Sequence, residues 1–281
     1  MSAMPEIINN IWSAYHPLYA LAAGAGTLAV IVIGAQVLML VPALRGEYRE
    51  NLAVRAQKMA KPHYAENQAW NRRWAGLYLG VIFGIVLPFC LTLDVQPWWR
   101  MVRDVVVVLM VYDFVYYLTH RFLFHDGGLI GGGPLMWMHA VHHRQHNPCR
   151  ADSSYIHPLE VAIGLGLYTG TILMLSLIMG RFHVVTVIIT WVAFTEINLH
   201  NHDRWSSDSS PFRYLNYASV LHHHHHAKFT GGNFATITPL YDWMFGTLDE
   251  GQSYPALERL KARRKGKMAN KAARAAAEFE G

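Results

Sequence analysis

The sequence predicts an all-α, polytopic membrane protein: about five membrane helices, an N-terminal anchor and two hairpins, beneath a cytoplasmic, histidine-rich helical cap. Three observations carry that expectation. Of 281 residues, 52% are hydrophobic and only 15% charged, where a soluble domain carries roughly 25% charged residues. Several uncharged runs reach the roughly 20 residues that cross a bilayer core. The polar segments between them gather histidines in tight clusters, His120 with His125, His139 with His142 and His143, and the run His222 to His226.

Leu18 to Val41 is uncharged throughout and long enough to span. No basic run precedes it and it exceeds a signal peptide's apolar region, so an uncleaved anchor is expected. The segment Arg45 to Arg73 is hydrophilic. A second apolar run, 74–93, contains Pro88, tolerable in a membrane helix when a neighbouring group takes up the freed carbonyl. A short turn leads into DVVVVLMVYDFVYYLTH, a third span at 105–119 that closes a hairpin and delivers His120. Residues 161–180 and 182–199 form a second hairpin around Arg181. Residues 120–160 and 200–248 are left as the cap, and 251–281 as a basic tail suited to water or anionic headgroups. The whole chain reads as one integral membrane domain.

Charge sets the expected sidedness, because Lys and Arg collect in cytoplasmic loops. Of 24 Lys and Arg, only Arg100, Arg103 and Arg181 fall on the face with the N-terminus, which leaves 21 on the other. That second face also holds 15 of the 17 histidines, His16 and His183 being the exceptions. The metal site and C-terminus are therefore expected in the cytoplasm. Cys90 and Cys149 lie too far apart in this topology to pair, and no C-x-x-C motif exists. The glycine run Gly127 to Gly133 is followed by no G-K-[ST], so it reads as a turn, not a phosphate loop.

Imidazole is the commonest transition-metal ligand, one ring nitrogen binding while the other is held by an acceptor. His139, His142 and His143 stand at i, i+3 and i+4, so one helix face supplies three ligands. His120 and His125 lie roughly 140° apart on an ideal helix, so they serve different metals or sit across a helix end. Asp113, Tyr116, Tyr117 and His120 share one stripe, which makes Asp113 a candidate acceptor for a ligand histidine. Glu196 and His200 stand at i and i+4 near the end of the fifth span, and Glu196 is a candidate ligand or ligand partner. Within LHHHHH, H-x2-H-H reads as His222, His225 and His226, with other registers open.

DFVYYLTHRFLFH, MWMHAVHH, SSYIHPLE and HHHHHAKFTGGNFATITPLYDWMFGT, taken in order, resemble the fatty acid hydroxylase/sterol desaturase superfamily of membrane di-iron oxygenases. The resemblance covers about residues 110–248. It implies a helical bundle whose cytoplasmic cap holds two irons through eight or more histidines. By motif the implied ligands are His120, His125, His139, His142, His143, His222, His225 and His226, with His200 added. Asp242, in a W-D-x-x-F-G-T ending that here begins with Tyr241, is implied to orient a ligand histidine. His223, His224 and Asn233 are further candidates at or beside the shell. The extra histidines His146 and His202, with His223 and His224, leave the last ligands open. His157, followed by Pro158, resembles the sterol-modifying and sphingoid-hydroxylating branches.

Such a pair of irons would use dioxygen to attack an unactivated C–H bond of a lipid, sterol or fatty acyl/sphingoid, giving an alcohol or an alkene. The sequence has no haem-attachment, iron-sulfur or dinucleotide motif. A separate donor is expected, ferredoxin or cytochrome b5-like with its reductase; a membrane setting is expected and no nucleic-acid partner. The competing class is a membrane metal transporter or metal-binding protein, in which ionisable residues would sit near mid-bilayer. Here Asp113 and Glu196 lie beside the histidines instead.

Overall fold

Ten α-helices and one two-stranded sheet make up the described part of the chain, residues 12–125, 132–204 and 213–251 of a computed structural model. Prolines open the early helices, where a missing N–H costs nothing because the first-turn donors have no partner. They are α1 (Pro17–Leu38), α2 (Pro42–Met59) and α3 (Pro62–Val81). A π-helical turn, Ile82–Val86, joins α3 to α4 (Leu87–Cys90), followed by β1 (Leu91–Thr92). Then come α5 (Trp98–Thr119), a second π-turn (His120–Phe124), α6 (Met136–His143) and a 3-10 turn (Arg150–Ser154). The chain continues through α7 (Pro158–Met179), β2 (Phe182–His183), α8 (Val184–Asn201), α9 (Arg213–Ala227) and α10 (Leu240–Met244).

Among the described residues four helical stretches are long and apolar enough to cross a membrane: Trp12–Leu38, Pro62–Cys90, Pro158–Met179 and Val184–Asn201. The second begins well before the expected residue 74, because the hydrophilic stretch ahead of it is itself helical. α5, the expected third span, has 22 residues. It includes Arg100, Arg103, Asp104 and Asp113 and does not count among the four. The basic tail, and most of the glycine run after His125, lie outside the described residues.

Pro88 removes the donor that would have bonded the carbonyl of Gly84 four residues earlier. The Tyr15 hydroxyl takes that carbonyl at 2.6 Å. Residues around the same point hold the N-terminal ends together: the His16 N–H donates to the Pro88 carbonyl at 3.0 Å, and Arg181 donates to the Ala14 carbonyl at 3.1 Å. β1 and β2 pair in parallel, Leu91 beside Phe182, so the two hairpin bends meet at this end. The core above them is aromatic. Tyr112, Tyr168, Trp191 and Phe194 pack at centroid separations of 4.9 to 5.8 Å where they touch directly, apart from a looser Trp191–Phe194 contact at 6.3 Å. Both cysteines are buried and free.

The opposite end carries the cap. Asp152 in the 3-10 turn is fully buried and accepts from Lys58, from the Tyr64 hydroxyl at 2.7 Å and from the Cys149 N–H at 2.7 Å. These bonds tie residues 149–155 to α2 and α3. A second strap, 233–238, is held by two carboxylates. Asp113 accepts the N–H groups of Thr236, Ile237 and Thr238 at 2.8 to 3.1 Å. Asp242 accepts those of Phe234 and Ala235 at 2.8 Å and the Thr247 hydroxyl at 2.8 Å.

Candidate metal centre

Nine buried or nearly buried imidazoles meet in two adjoining groups at the cap end. His120, His125, His139, His143 and His225 form one; His142, His202, His222 and His226 form the other, and within each the ring nitrogens lie within 4.8 Å of one another. α6 serves both groups, since i and i+4 (His139, His143) point to one side and His142 to the other. α9 divides in the same way, His225 to the first group and His222 with His226 to the second.

His120 and His125 join the same group, the helix-end arrangement of the two alternatives that their spacing left. The π-turn explains it: the His125 N–H bonds the His120 carbonyl at 3.0 Å, an i→i+5 closure that widens the turn and brings the two rings to a 5.0 Å centroid separation.

Six of the nine rings are aimed by what their Nδ1 atoms meet, while Nδ1 of His143 and of His226 has no hydrogen-bond partner among the described residues. Nδ1 of His120 donates to the Phe234 carbonyl at 2.7 Å, His125 to Phe229 at 2.8 Å, His225 to Gly232 at 2.8 Å and His202 to Asn198 at 2.8 Å. His142 donates to the Tyr155 carbonyl at 3.3 Å. Among the described residues His139 is the one of the nine whose Nδ1 meets a side-chain acceptor, Glu160 Oε1 at 2.7 Å. With the proton on Nδ1, Nε2 presents a lone pair. Yet His120 Nε2 lies 3.0 Å from His139 Nε2, and His142 Nε2 lies 3.1 Å from His202 Nε2. Lone pairs facing at that distance repel unless a cation sits between them. His125 Nε2 is likewise buried with no hydrogen-bond partner among the described residues.

A metal fits this donor set. With metal–imidazole bonds of roughly 2.1 Å, ligands at a right angle sit about 3.0 Å apart and at the tetrahedral angle about 3.4 Å. The closest Nε2 pairs, at 3.0 to 3.2 Å, match the right angle. Burial keeps the rings neutral and ready to bind: it pulls His142 to about 4 against the opposing Tyr155 hydrogen bond, and His225 to about 4 against that of Gly232. His139, His143 and His226 are pushed well below the ordinary value by burial and by neighbouring imidazoles.

The sequence expectations require several corrections. His200 is in neither group; its Nδ1 lies 3.4 Å from Asp203 Oδ2. His202, two residues on, stands where His200 was expected, because two residues on a helix differ by roughly 200°. Glu196 pairs with Arg150, which also bonds Asp203 at 3.0 Å. The i, i+4 pairing of Glu196 with His200 thus faces an ion-pair network, not the metal groups. Among the described residues Asp113 and Asp242 accept no hydrogen bond from an imidazole; they hold the strap that presents the Phe234 carbonyl to His120. Asn233, at φ 66°, bonds the Leu221 and Asp249 carbonyls at 3.0 and 2.8 Å. His223 reaches the Asp203 carbonyl at 3.0 Å, His224 packs beside Gly251, and His157 caps α7 by accepting the Leu159 N–H at 3.2 Å. Glu160 was not expected. A carboxylate in the first turn of an apolar helix was the available signal.

A cavity of about 370 Å³ abuts both groups. Its wall includes His120 and His139 from the first and His142, His202 and His222 from the second, and it extends along Leu79, Leu165, Trp191 and Phe194.

The Fatty acid hydroxylase family pattern matches residues 105–247. Methylsterol monooxygenase 1 of Rattus norvegicus is 28% identical over 156 residues, 54% of this chain and 48% of that protein. Very-long-chain aldehyde decarbonylase GL1-8 of Oryza sativa subsp. indica is 28% identical over 171 residues, 59% of this chain and 60% of that protein. Protein CER1-like 2 of Arabidopsis thaliana is 27% identical over 164 residues, 55% of this chain and 25% of that protein. The chain thus spans between a quarter and three fifths of the length of these relatives. No solved structure matches.

Proposed function

From the premise that this chain belongs to the fatty acid hydroxylase family, we propose that it is a membrane di-iron oxygenase acting on an unactivated C–H position of a lipid. One observation carries the reading: two adjoining imidazole groups share the wall of one largely apolar cavity. Bound iron supplies the redox chemistry that activates dioxygen. The residues of the chain do the rest. His120, His125, His139, His143 and His225 hold one ion; His142, His202, His222 and His226 hold the other. Leu79, Leu165, Trp191 and Phe194 keep a hydrocarbon chain out of water and against the imidazoles, and such positioning fixes which carbon reacts. Hydroxylation and desaturation differ only in that placement, and the substrate is a sterol or a fatty acyl/sphingoid lipid.

Electrons reach the site from a carrier outside this sequence, ferredoxin or cytochrome b5-like, served by a reductase. The histidine end faces the cytoplasm, a reading supported by the 21 basic residues assigned to that side among 24. Transport of metal is disfavoured because Asp113 and Glu196, the carboxylates an ion path would use, are committed to the strap and to Arg150.

The test is metal analysis of the purified protein together with lipid profiling of cells with and without it. Two irons per chain and a lipid that gains oxygen or a double bond are expected. Zinc alone, with an unchanged lipid profile and altered cellular metal content, overturns the reading.

A further inference from the structure

Of the six imidazoles whose Nδ1 atoms meet an acceptor among the described residues, five face backbone carbonyls, and His139 faces the carboxylate of Glu160 at 2.7 Å. Glu160 stands in the first turn of α7 and is 7% exposed. Its Oε1 meets His139; its Oε2 is buried with no hydrogen-bond partner among the described residues. No Lys or Arg pairs with it there, the one ion-pair contact of its side chain being the His139 ring. Burying a carboxylate is costly unless a positive charge stands beside it, and the amino end of a helix contributes only a partial one. A cation bound to the far nitrogen of His139 completes the arrangement, with the carboxylate on Nδ1 and the ion on Nε2 of the same ring.

The two groups differ in this respect. In the first, His139 Nε2 lies 3.0 Å from His120 Nε2 and 3.1 Å from His143 Nε2, so the ring that Glu160 holds is in contact with two fellow ligands. In the second, His142 and His202 face the Tyr155 and Asn198 carbonyls, and Nδ1 of His226 has no partner among the described residues. A charged acceptor makes a hydrogen bond roughly twice as strong as a neutral one. It also raises the basicity of the imidazole, which then binds a divalent ion more tightly. Resting on the reading of these groups as two metal positions, we propose that Glu160 is a positioning residue that sets the metal affinity of the first group through His139 and leaves the second untouched. The two ions of this centre are therefore held unequally, and the inequality comes from one side chain.

The experiment titrates the metal-free full chain, purified in detergent, with cobalt(II) and follows the visible absorption of the bound ion. Glu160→Gln keeps the size of the side chain and an oxygen that accepts from Nδ1, and removes only the charge. It should weaken one of the two cobalt ions about tenfold and leave the other as it was; Glu160→Ala, which also frees the ring to turn, should weaken the same ion about a hundredfold. His202→Ala disables the second group, so repeating Glu160→Gln in that background should show the same tenfold loss on the single ion that remains. A role in packing or in aiming the ring alone predicts no loss in the glutamine variant, because volume and hydrogen bond both persist. Cobalt bound equally well by the glutamine variant and the unaltered chain therefore overturns the proposal and leaves the two metal positions standing. A loss shared equally by both ions overturns it as well, since the effect would then be a general disturbance of the cap. An unaltered chain that takes up fewer than two cobalt ions removes the two-metal reading itself, and the proposal with it.

Discussion

His202 Nε2 lies 3.1 Å from His142 Nε2, while His200, two residues earlier on the same helix, turns to Asp203 at 3.4 Å. His202 also approaches His222 at 3.0 Å and His226 at 3.2 Å, so it is the shared neighbour of its group. His202→Ala should therefore lower bound metal from about two ions per chain to about one, because a four-ligand set loses its central member. His200→Ala should leave the stoichiometry unchanged. Elemental analysis of both purified variants checks this, and equal metal loss in the two would refute the division into groups.

The contrast shows where the sequence was readable. Helical spacing was enough to place His139 and His143 side by side, because the period of the helix is a property of the backbone alone, but not to show that His142 joins the other group. It was not enough for His125, whose place depends on a π-turn that changes the period, nor for His202, which sits at a helix end where the chain leaves the regular spiral. Asp113 was visible as a carboxylate needing a partner. That its partners are backbone N–H groups 123 to 125 residues away was not, since backbone donors leave no mark on composition. The same holds for the five carbonyls that aim imidazoles. The apolar runs were legible as helices, but α3 begins at Pro62 because polar residues there pack on the 3-10 turn around Asp152, a contact between distant segments.

Gly232 offers its carbonyl to His225 and leaves no room for a side chain: a Cβ there would lie 1.7 Å from the Thr247 carbonyl oxygen. The obstacle is backbone, so it cannot be relieved by a rotamer change. Gly232→Ala should destabilise the cap by about 3 kcal/mol or more, at the upper end of overpacking costs, and should release metal bound through His225. A melting temperature within a degree or two of the unaltered protein would show that the strap yields, contrary to this expectation.

Two carboxylates that look alike in the sequence should behave differently. Asp113→Asn replaces one acceptor oxygen by a donor that faces the N–H of Thr238, so a buried donor loses its partner at a cost of about 1–3 kcal/mol. Glu196 is more than a third exposed on its side chain and pairs with Arg150, which keeps Asp203 as a second partner. Glu196→Gln should cost less than about 1 kcal/mol and leave metal content intact. Thermal unfolding with parallel metal analysis distinguishes the two, and substantial metal loss in the Glu196 variant would reinstate that residue as a support of the site.

Acid should separate the metal-free protein from the loaded one. His142 and His225 titrate near 4 in the fold because they are buried, against roughly 6.5 in an unfolded chain. Between those values the unfolded chain holds more protons on these residues than the folded one does, so stability rises with pH across that interval. Metal-free protein should therefore lose stability as the pH falls from about 6.5 toward 4, and little further below that, as far as these two groups decide. Bound metal opposes protonation, since each ligand must stay neutral to bind, so the loaded protein should hold its melting temperature to lower pH. Melting temperatures of chelator-treated and metal-loaded protein across this range provide the check. Curves for the two forms that run parallel from neutral pH down to 4 would show that these imidazoles do not hold the metal.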